Sequence, residues 1–223
     1  MLVKNPDLYN LNVNSTPFLR DHRDFVEKYE WGCGDRPLHW MWYQICSELP
    51  VDAKLLEIGC YMGQVLSLWA LIGRKLGRNF RVYGITPLSP EPDIHSAYKD
   101  INYREAIEKI HWRFDLSNPE LFVGLSQDQT CIDKARNLGE LDVLYIDGGH
   151  NYENVVADIQ NYAPLVKKHG FIVTDDSLYN MDGSNTTGYL GFESVTNAVN
   201  EYLMNKGVAE ISRVAHNRVF RKL

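Results

Sequence analysis

Two groups of aspartates and one pair of glycines carry the chemistry this sequence offers. Asp147 opens the string Asp147-Gly148-Gly149-His150, directly after the apolar run Leu141 to Ile146. Asp175-Asp176 follow a second apolar run, Phe171 to Thr174. Both runs read as buried strands, so both sets of carboxylates sit at strand ends, where open α/β sheets hold their ligands. If the two strands are neighbours, Asp147, Asp175 and Asp176 converge. Carboxylates crowded together either take up protons or are neutralised by a cation. A site with only oxygen ligands favours a hard ion such as Mg²⁺. The competing account is that each aspartate caps the element that follows it. His150 lies three residues past Asp147 in a loop loosened by glycine, where it can serve as general base, metal ligand or helix cap.

The glycines stand in Leu55-Leu56-Glu57-Ile58-Gly59-Cys60-Tyr61-Met62-Gly63, where a strand runs into a helix. Gly59 lets the backbone approach a ligand and Gly63 allows tight packing at the helix start. The N–H groups of that first turn suit an anionic group such as a carboxylate. The spacing is Gly-x-x-x-Gly, not the Gly-x-Gly-x-x-Gly whose second glycine admits a pyrophosphate. Cys60 and Tyr61 add bulk there, which suits a cofactor lacking a pyrophosphate. A strand-to-helix turn that binds nothing is the plain alternative.

These residues need a frame, and the chain supplies an alternating one. Short apolar runs at 54–58, 80–85, 121–123, 141–146 and 171–174 read as strands. Helical patterns at 63–76, 96–110, 129–138 and 152–168 separate them. This predicts a mostly parallel sheet covered on both faces. Residues 1–35 read as an irregular arm, followed by a helix over 38–49 that Pro50 ends. A helix near 192–205 precedes two β-like runs, 209–214 and 218–221, with His216-Asn217 as the turn between them. That ending adds an antiparallel strand to the sheet. The division is an N-terminal arm and helix over 1–50 packing on a core domain over 51–223.

The bulk properties narrow the partners. At 223 residues with 44% hydrophobic and 23% charged residues, the chain is ordinary for one globular domain. Its net charge of −6 argues against broad binding to nucleic acid, which needs a basic surface. Cys33, Cys46, Cys60 and Cys131 form no Cys-x-x-Cys pair and read as reduced, mostly buried thiols. The first residues lack an apolar signal core, and no stretch has the length of a membrane span. The expectation is a cytoplasmic protein without a membrane or nucleic-acid partner, with a homodimer left open.

At these motifs the sequence resembles a known family. Leu56 to Gly63 is similar to the cofactor loop of catechol O-methyltransferases. The string Ile146-Asp147-Gly148-Gly149-His150-Asn151-Tyr152-Glu153, with Gly170 to Asp176, resembles more closely the macrocin-type sugar O-methyltransferases, whose metal-binding relatives include the cephalosporin hydroxylase group. The resemblance covers roughly 50–222. It implies a class I S-adenosylmethionine-dependent methyltransferase with a Rossmann-like sheet of seven strands, mostly parallel with an antiparallel last strand. By position, Asp147, Asp175 and Asp176 match the metal ligands and His150 the general base. Glu57, Gly59, Tyr61 and Gly63 match the S-adenosylmethionine loop. Ser126 and Asp128 fall near the adenine, and Asp147 is counted for the cofactor as well as the metal. The second strand departs from the pattern: Thr86 stands where an acidic residue usually holds the ribose. Its hydroxyl can make one such bond but not a bidentate pair, and Asp93 is the nearby substitute.

The resemblance thus implies methyl transfer to a hydroxyl of a small molecule or sugar. Metal coordination acidifies and orients the hydroxyl, His150 takes its proton, and the sulfonium methyl is attacked in line. Residues 177–190 are expected to cover the acceptor. Trp31, Trp40, Trp42 and Tyr43 are expected to complete its pocket or to pack in the core. Two alternatives stay open: a cephalosporin hydroxylase-like relative with another reaction, and a cofactor-binding module without catalysis.

Overall fold

The structure, a computed structural model, describes residues 6–90, 99–181, 188–204 and 206–223. A seven-stranded sheet runs through it in the order β3-β2-β1-β4-β5-β7-β6. The strands are β1 (Lys54–Ile58), β2 (Arg81–Thr86), β3 (Glu120–Val123), β4 (Leu141–Ile146), β5 (Val166–Thr174), β6 (Val208–Val214) and β7 (Asn217–Lys222). β1 to β5 pair in parallel, while β7 lies antiparallel between β5 and β6. The chain order reverses at β1, where β2 lies on one side and β4 on the other. Ligands in such sheets bind beyond the strand ends at that reversal. This is the expected Rossmann-like sheet with its antiparallel last strand.

Helices α4 (Gln64–Lys75), α5 (Tyr103–Arg113), α6 (Gln129–Asn137), α7 (Tyr152–Tyr162) and α8 (Glu193–Tyr202) fill the connections. Central strands β1 and β4 are buried along nearly their whole length, as a sheet covered on both faces requires. One core holds Trp42, Trp69, Leu55 and Phe171; the other holds Leu56, Leu144, Tyr162 and Phe220. Neighbouring residues Leu55 and Leu56 therefore face opposite layers.

Three sequence expectations change. Residues 6–29 are not an irregular arm: they form α1 (Pro6–Ser15) and α2 (Pro17–Tyr29), which with α3 (Pro37–Glu48) pack on the first core. The helix expected over 152–168 stops at Tyr162, because Ala163-Pro164-Leu165 forms a 3₁₀ turn. Residues 166–168 then belong to β5, and a register break sets in before Phe171, the start anticipated for that strand. The helix expected over 96–110 begins at Tyr103, where Asn102 caps it by accepting the Glu105 N–H at 3.1 Å. The first residues of that expected helix, 96–98, lie outside the described residues.

Candidate active site

The strand ends assemble the site in register. Gly59 N–H donates to Ile85 O at 3.0 Å, Asp147 N–H to Ile58 O at 2.9 Å, and Asp175 N–H to Ile146 O at 3.0 Å. Each bond ties the first residue past one strand to the end of its neighbour. Gly59, Asp147 and Asp175 therefore step across the sheet along a single edge. A cleft of about 770 Å³ opens over that edge, within the usual range for a small-molecule site. Gly59 and Gly63 sit at φ +89° and +82°, so the turn between them needs backbone angles that favour glycine. A Cβ on Gly59 would fall 1.8 Å from the Asp147 carbonyl oxygen. Gly59 thus lets β1 and β4 close together at the cleft floor. Gly63 does not line the cleft; it packs on Ile107 of α5 and starts α4.

Glu57, Gly59, Tyr61, Ser126, Asp147, His150, Asp175 and Asp176 all line the cleft. Thr86 and Asp128 do not. Thr86 is buried, and its hydroxyl accepts the Leu88 N–H at 3.2 Å. Asp128 turns its carboxylate back to the Leu125 N–H at 2.8 Å, closing the loop after β3. The structure thus gives both residues local backbone partners and sets them apart from the surface expected to hold ribose and adenine. Asp93 lies outside the described residues. Gln127 also lines the cleft; it stands between the two residues expected near the adenine.

The acidic groups converge with an added histidine. Asp175, Asp176 and His216 each offer a ligand atom within 4.8 Å of the others. His216 Nε2 lies 3.2 Å from Asp175 Oδ1 and 3.8 Å from Asp176 Oδ1. On the other side, His150 Nε2 lies 3.1 Å from Asp176 Oδ2. In the sequence His216 stands out only as part of the hairpin turn; in the structure it is buried at the site. The usable signal was the antiparallel hairpin. Thr174 faces Arg218 across β5 and β7, so the hairpin turn must return to the Asp175-Asp176 end of β5. The turn itself falls on Ala215-His216, with Asn217 already in β7.

Crowding sets the protonation pattern. Burial and the charges of Asp175, Asp176 and Glu57 push the Asp147 carboxyl well above the usual range. Burial, with Asp175 nearby, does the same to Glu57. Asp175 goes the other way: burial opposes ionisation, but the charge and hydrogen bond of His216 outweigh it. Burial would lower His216, yet Asp175 and Asp176 raise it to about 9. The cluster thus drives its groups apart, Asp147 and Glu57 upward and Asp175 downward, with the His216 imidazole raised beside them. Glu57 Oε2 is buried with no hydrogen-bond partner among the described residues. Such a group is costly unless a ligand meets it.

The N-terminal helices wall the cleft. Arg23 of α2 donates to Gly34 O at 2.6 Å and to Glu27 at 2.7 Å, holding the segment that carries Cys33 and Asp35 against the cleft. Asp35 Oδ2 lies 3.8 Å from His216 Nδ1. Of the aromatics expected at the pocket, Trp42 lines it, whereas Trp40 stacks on Tyr43 at 4.9 Å away from it. Beyond β5, Phe192 N–H donates to Asp176 O at 2.9 Å, and Tyr189 sets its ring 5.3 Å from that of His216. This brings the end of the loop expected over the acceptor to the cleft; residues 182–187 of it lie outside the described residues. Cys46, Cys60 and Cys131 are buried and all four cysteines are free, as their spacing implied.

The comparisons agree with this geometry. The family model described as "Methyltransferase domain" matches residues 56–177, from β1 through the Asp175-Asp176 pair. The chain belongs to that family, and its sheet and cleft are those of a class I S-adenosylmethionine-dependent methyltransferase. Among solved structures, an O-methyltransferase from Bacillus cereus in complex with S-adenosylhomocysteine superposes with a TM-score of 0.60 at 13% identity, covering 96% of each chain. CalS11, a TDP-rhamnose 3'-O-methyltransferase of calicheamicin biosynthesis, gives a TM-score of 0.59 at 16% identity over 94% of this chain and 84% of that one. In sequence, "Uncharacterized protein R132" of Acanthamoeba polyphaga mimivirus is 30% identical over 128 residues, 56% of this chain. That match takes in 52% of the relative, so the chain spans about half the length of the curated relative it matches. No helix among the described residues is long and apolar enough to cross a membrane.

Proposed function

We propose that this methyltransferase is a divalent-metal-dependent O-methyltransferase acting on a hydroxyl of a small molecule or sugar. The observation that carries the reading is the cluster of Asp175, Asp176 and His216, whose ligand atoms lie within 4.8 Å of one another, with Asp147 beside Asp175 and His150 against Asp176. Asp147, Asp175 and Asp176 would hold the ion, with the His216 imidazole alongside. The residues fit it: Asp176 and Glu57 are buried and Asp147 and Asp175 half-buried in one place, and crowding pushes the Asp147 and Glu57 carboxyls upward. A divalent cation held there supplies acidification and orientation of the acceptor hydroxyl.

The chain's own residues divide the remaining work. Asp176 orients the His150 imidazole through Nε2, and Phe192 packs edge-on to the same ring at 4.7 Å. His150 takes the proton from the acceptor hydroxyl. The turn from Gly59 to Gly63 and the N-terminus of α4 receive the amino-acid end of S-adenosylmethionine, with Glu57 and Tyr61 beside it. Ser126, with the loop around it, faces the adenine end. Asp35, Trp42 and Tyr189 enclose the acceptor side and keep water from the methyl group. The structural relatives named above support an acceptor hydroxyl, and CalS11 supports a sugar as one class to test.

The decisive experiment pairs calorimetry with a labelled-methyl assay over a panel of hydroxylated acceptors, nucleotide sugars included. We expect S-adenosylhomocysteine to bind, transfer to stop in EDTA, and Mg²⁺ to restore it. Asp175→Ala should lose metal binding while the fold persists. Full turnover in excess EDTA would remove the metal from the mechanism. Failure of the folded protein to bind S-adenosylhomocysteine would remove the assignment of the cleft to the cofactor.

A further inference from the structure

The hairpin turn between β6 and β7 brings a nitrogen to a cluster otherwise made of oxygen. His216 is buried, and its Nε2 faces both carboxylates that follow β5, 3.2 Å from Asp175 Oδ1 and 3.8 Å from Asp176 Oδ1. Two ligands of one ion, each at about 2.1 Å from it, can stand at most roughly 4 Å apart. Both separations fall inside that span. The turn is also fastened to the segment that carries the aspartates. His216 O accepts the Ser177 N–H at 3.0 Å, and the Asn217 side-chain amide donates to Asp175 Oδ1. The far side of the ring completes the pattern. His216 Nδ1 is buried with no hydrogen-bond partner among the described residues, and Asp35 Oδ2 stands 3.8 Å from it. A metal-bound histidine usually gives its second ring N–H to a carboxylate or carbonyl, which fixes the tautomer and the ring plane. Asp35 stands on the side from which such support comes.

We propose that His216 is itself a ligand of the divalent ion, through Nε2, and that the site therefore takes a first-row transition ion such as Fe²⁺, Co²⁺ or Zn²⁺ ahead of Mg²⁺. This rests on the reading that Asp175 and Asp176 hold an ion. The rival account makes His216 a counter-ion that merely neutralises the carboxylates. A lysine or arginine would serve that purpose, but both only donate, whereas an imidazole can also turn a lone pair toward a cation. The choice of ion follows from the ligand atoms. Mg²⁺ favours oxygen and gives up its water reluctantly. Imidazole nitrogen suits the later, softer ions. Mg²⁺ in excess still fills the site on Asp147, Asp175 and Asp176, but it gains little from His216. A transition ion uses the aspartates and the nitrogen together.

The test compares ions rather than turnover. Calorimetry titrates Co²⁺ and Mg²⁺ separately into the metal-free protein, and Co²⁺ should bind the tighter. His216→Gln puts an amide oxygen near the place of Nε2. It should weaken Co²⁺ binding by about tenfold or more while Mg²⁺ stays within about threefold. Unchanged Co²⁺ affinity, or equal losses for the two ions, overturns the proposal. Tighter binding of both ions in the variant also overturns it, since that is the mark of a counter-ion removed. Mn²⁺-loaded protein gives a direct reading by pulsed EPR. Wild-type protein should show the hyperfine coupling of a bound imidazole nitrogen, and the coupling should persist in His150→Gln and vanish in His216→Gln. The wild-type and His150→Gln spectra decide even where His216→Gln fails to fold. A wild type without nitrogen coupling, or a coupling lost in His150→Gln, overturns the proposal. Folded wild-type protein that binds neither Co²⁺ nor Mg²⁺ overturns the metal reading together with this one.

Discussion

At the scale of single residues, the structure replaces the reason for one sequence expectation. Gly59 was expected to give space to a ligand. Its missing Cβ instead gives space to the backbone carbonyl of Asp147, and its φ is positive. Gly59→Val should therefore lower stability as well as cofactor affinity, with soluble yield falling alongside calorimetric binding; a stable variant with unchanged affinity would contradict both roles. His150 gives the cleaner test. His150→Ala should cut turnover about 10²–10⁴-fold, the scale of a lost general base, while S-adenosylhomocysteine affinity stays near wild type because the glycine turn lies apart. Near-normal turnover at saturating acceptor would remove the base assignment. Asp147, Asp175, Asp176 and His150 were visible in the sequence because each follows a run of buried apolar residues. His216 was not, since a histidine in a hairpin turn shows its chemistry only once the partner strand is known.

At the scale of elements, what the sequence displayed and what it hid follow one rule. Strands β1 and β4 show as unbroken apolar runs because both faces are covered. Helix α2 does not show, although Leu19, His22, Arg23 and Val26 are buried at ideal helical spacing. Two of those four are polar, so the apolar period disappears. α1 is hidden by its asparagines and serine, poor helix formers that tertiary packing of Tyr9 and Val13 overrides. Of those two, Arg23 holds the cleft wall through Gly34 O, while His22 bonds to His39 and Ser67 in the core. Arg23→Ala should cost about 1–3 kcal/mol, as expected for a buried carbonyl and a charge-assisted bond left without their donor. It should also weaken ligand binding by loosening the Gly34-Asp35 segment. Chemical denaturation and acceptor KM report the two effects separately, and an unchanged KM would show that the wall stands without Arg23.

At the scale of the whole molecule, a second histidine group sets the response to acid. His22 Nδ1 lies 2.9 Å from His39 Nε2, its Nε2 lies 3.0 Å from Ser67 Oγ, and all three histidines of this region, His22, His39 and His111, are buried. Burial first, then the Arg23 charge and His111, hold His22 down at about 3. Burial holds His111 at about 4 against its bond to Ile107 O, and it lowers His39 as well. The folded protein keeps them neutral, while the unfolded chain takes up protons below about pH 6.5. Their contribution to stability is therefore full above pH 6.5 and drains as pH falls toward 4 and 3. Each costs about 1.4 kcal/mol per pH unit over that window. Urea unfolding at pH 7.5 and 5.5 should show a drop that is smaller by about that amount in His111→Leu; an equal drop in both proteins would place the acid response elsewhere.

The approach of Asp35 to His216 also bears on how the protein comes to exist. The cleft is bounded by the segment after α2 and by the hairpin turn before β7, which lie far apart in the chain. Closing such long loops is slow, and contacts of this kind form late. An early folding species with β1 to β4 paired would have a glycine turn but no Asp175–His216 pair and no wall. During refolding, the ability to capture S-adenosylhomocysteine should return with the slowest phase, after most of the secondary structure has already formed.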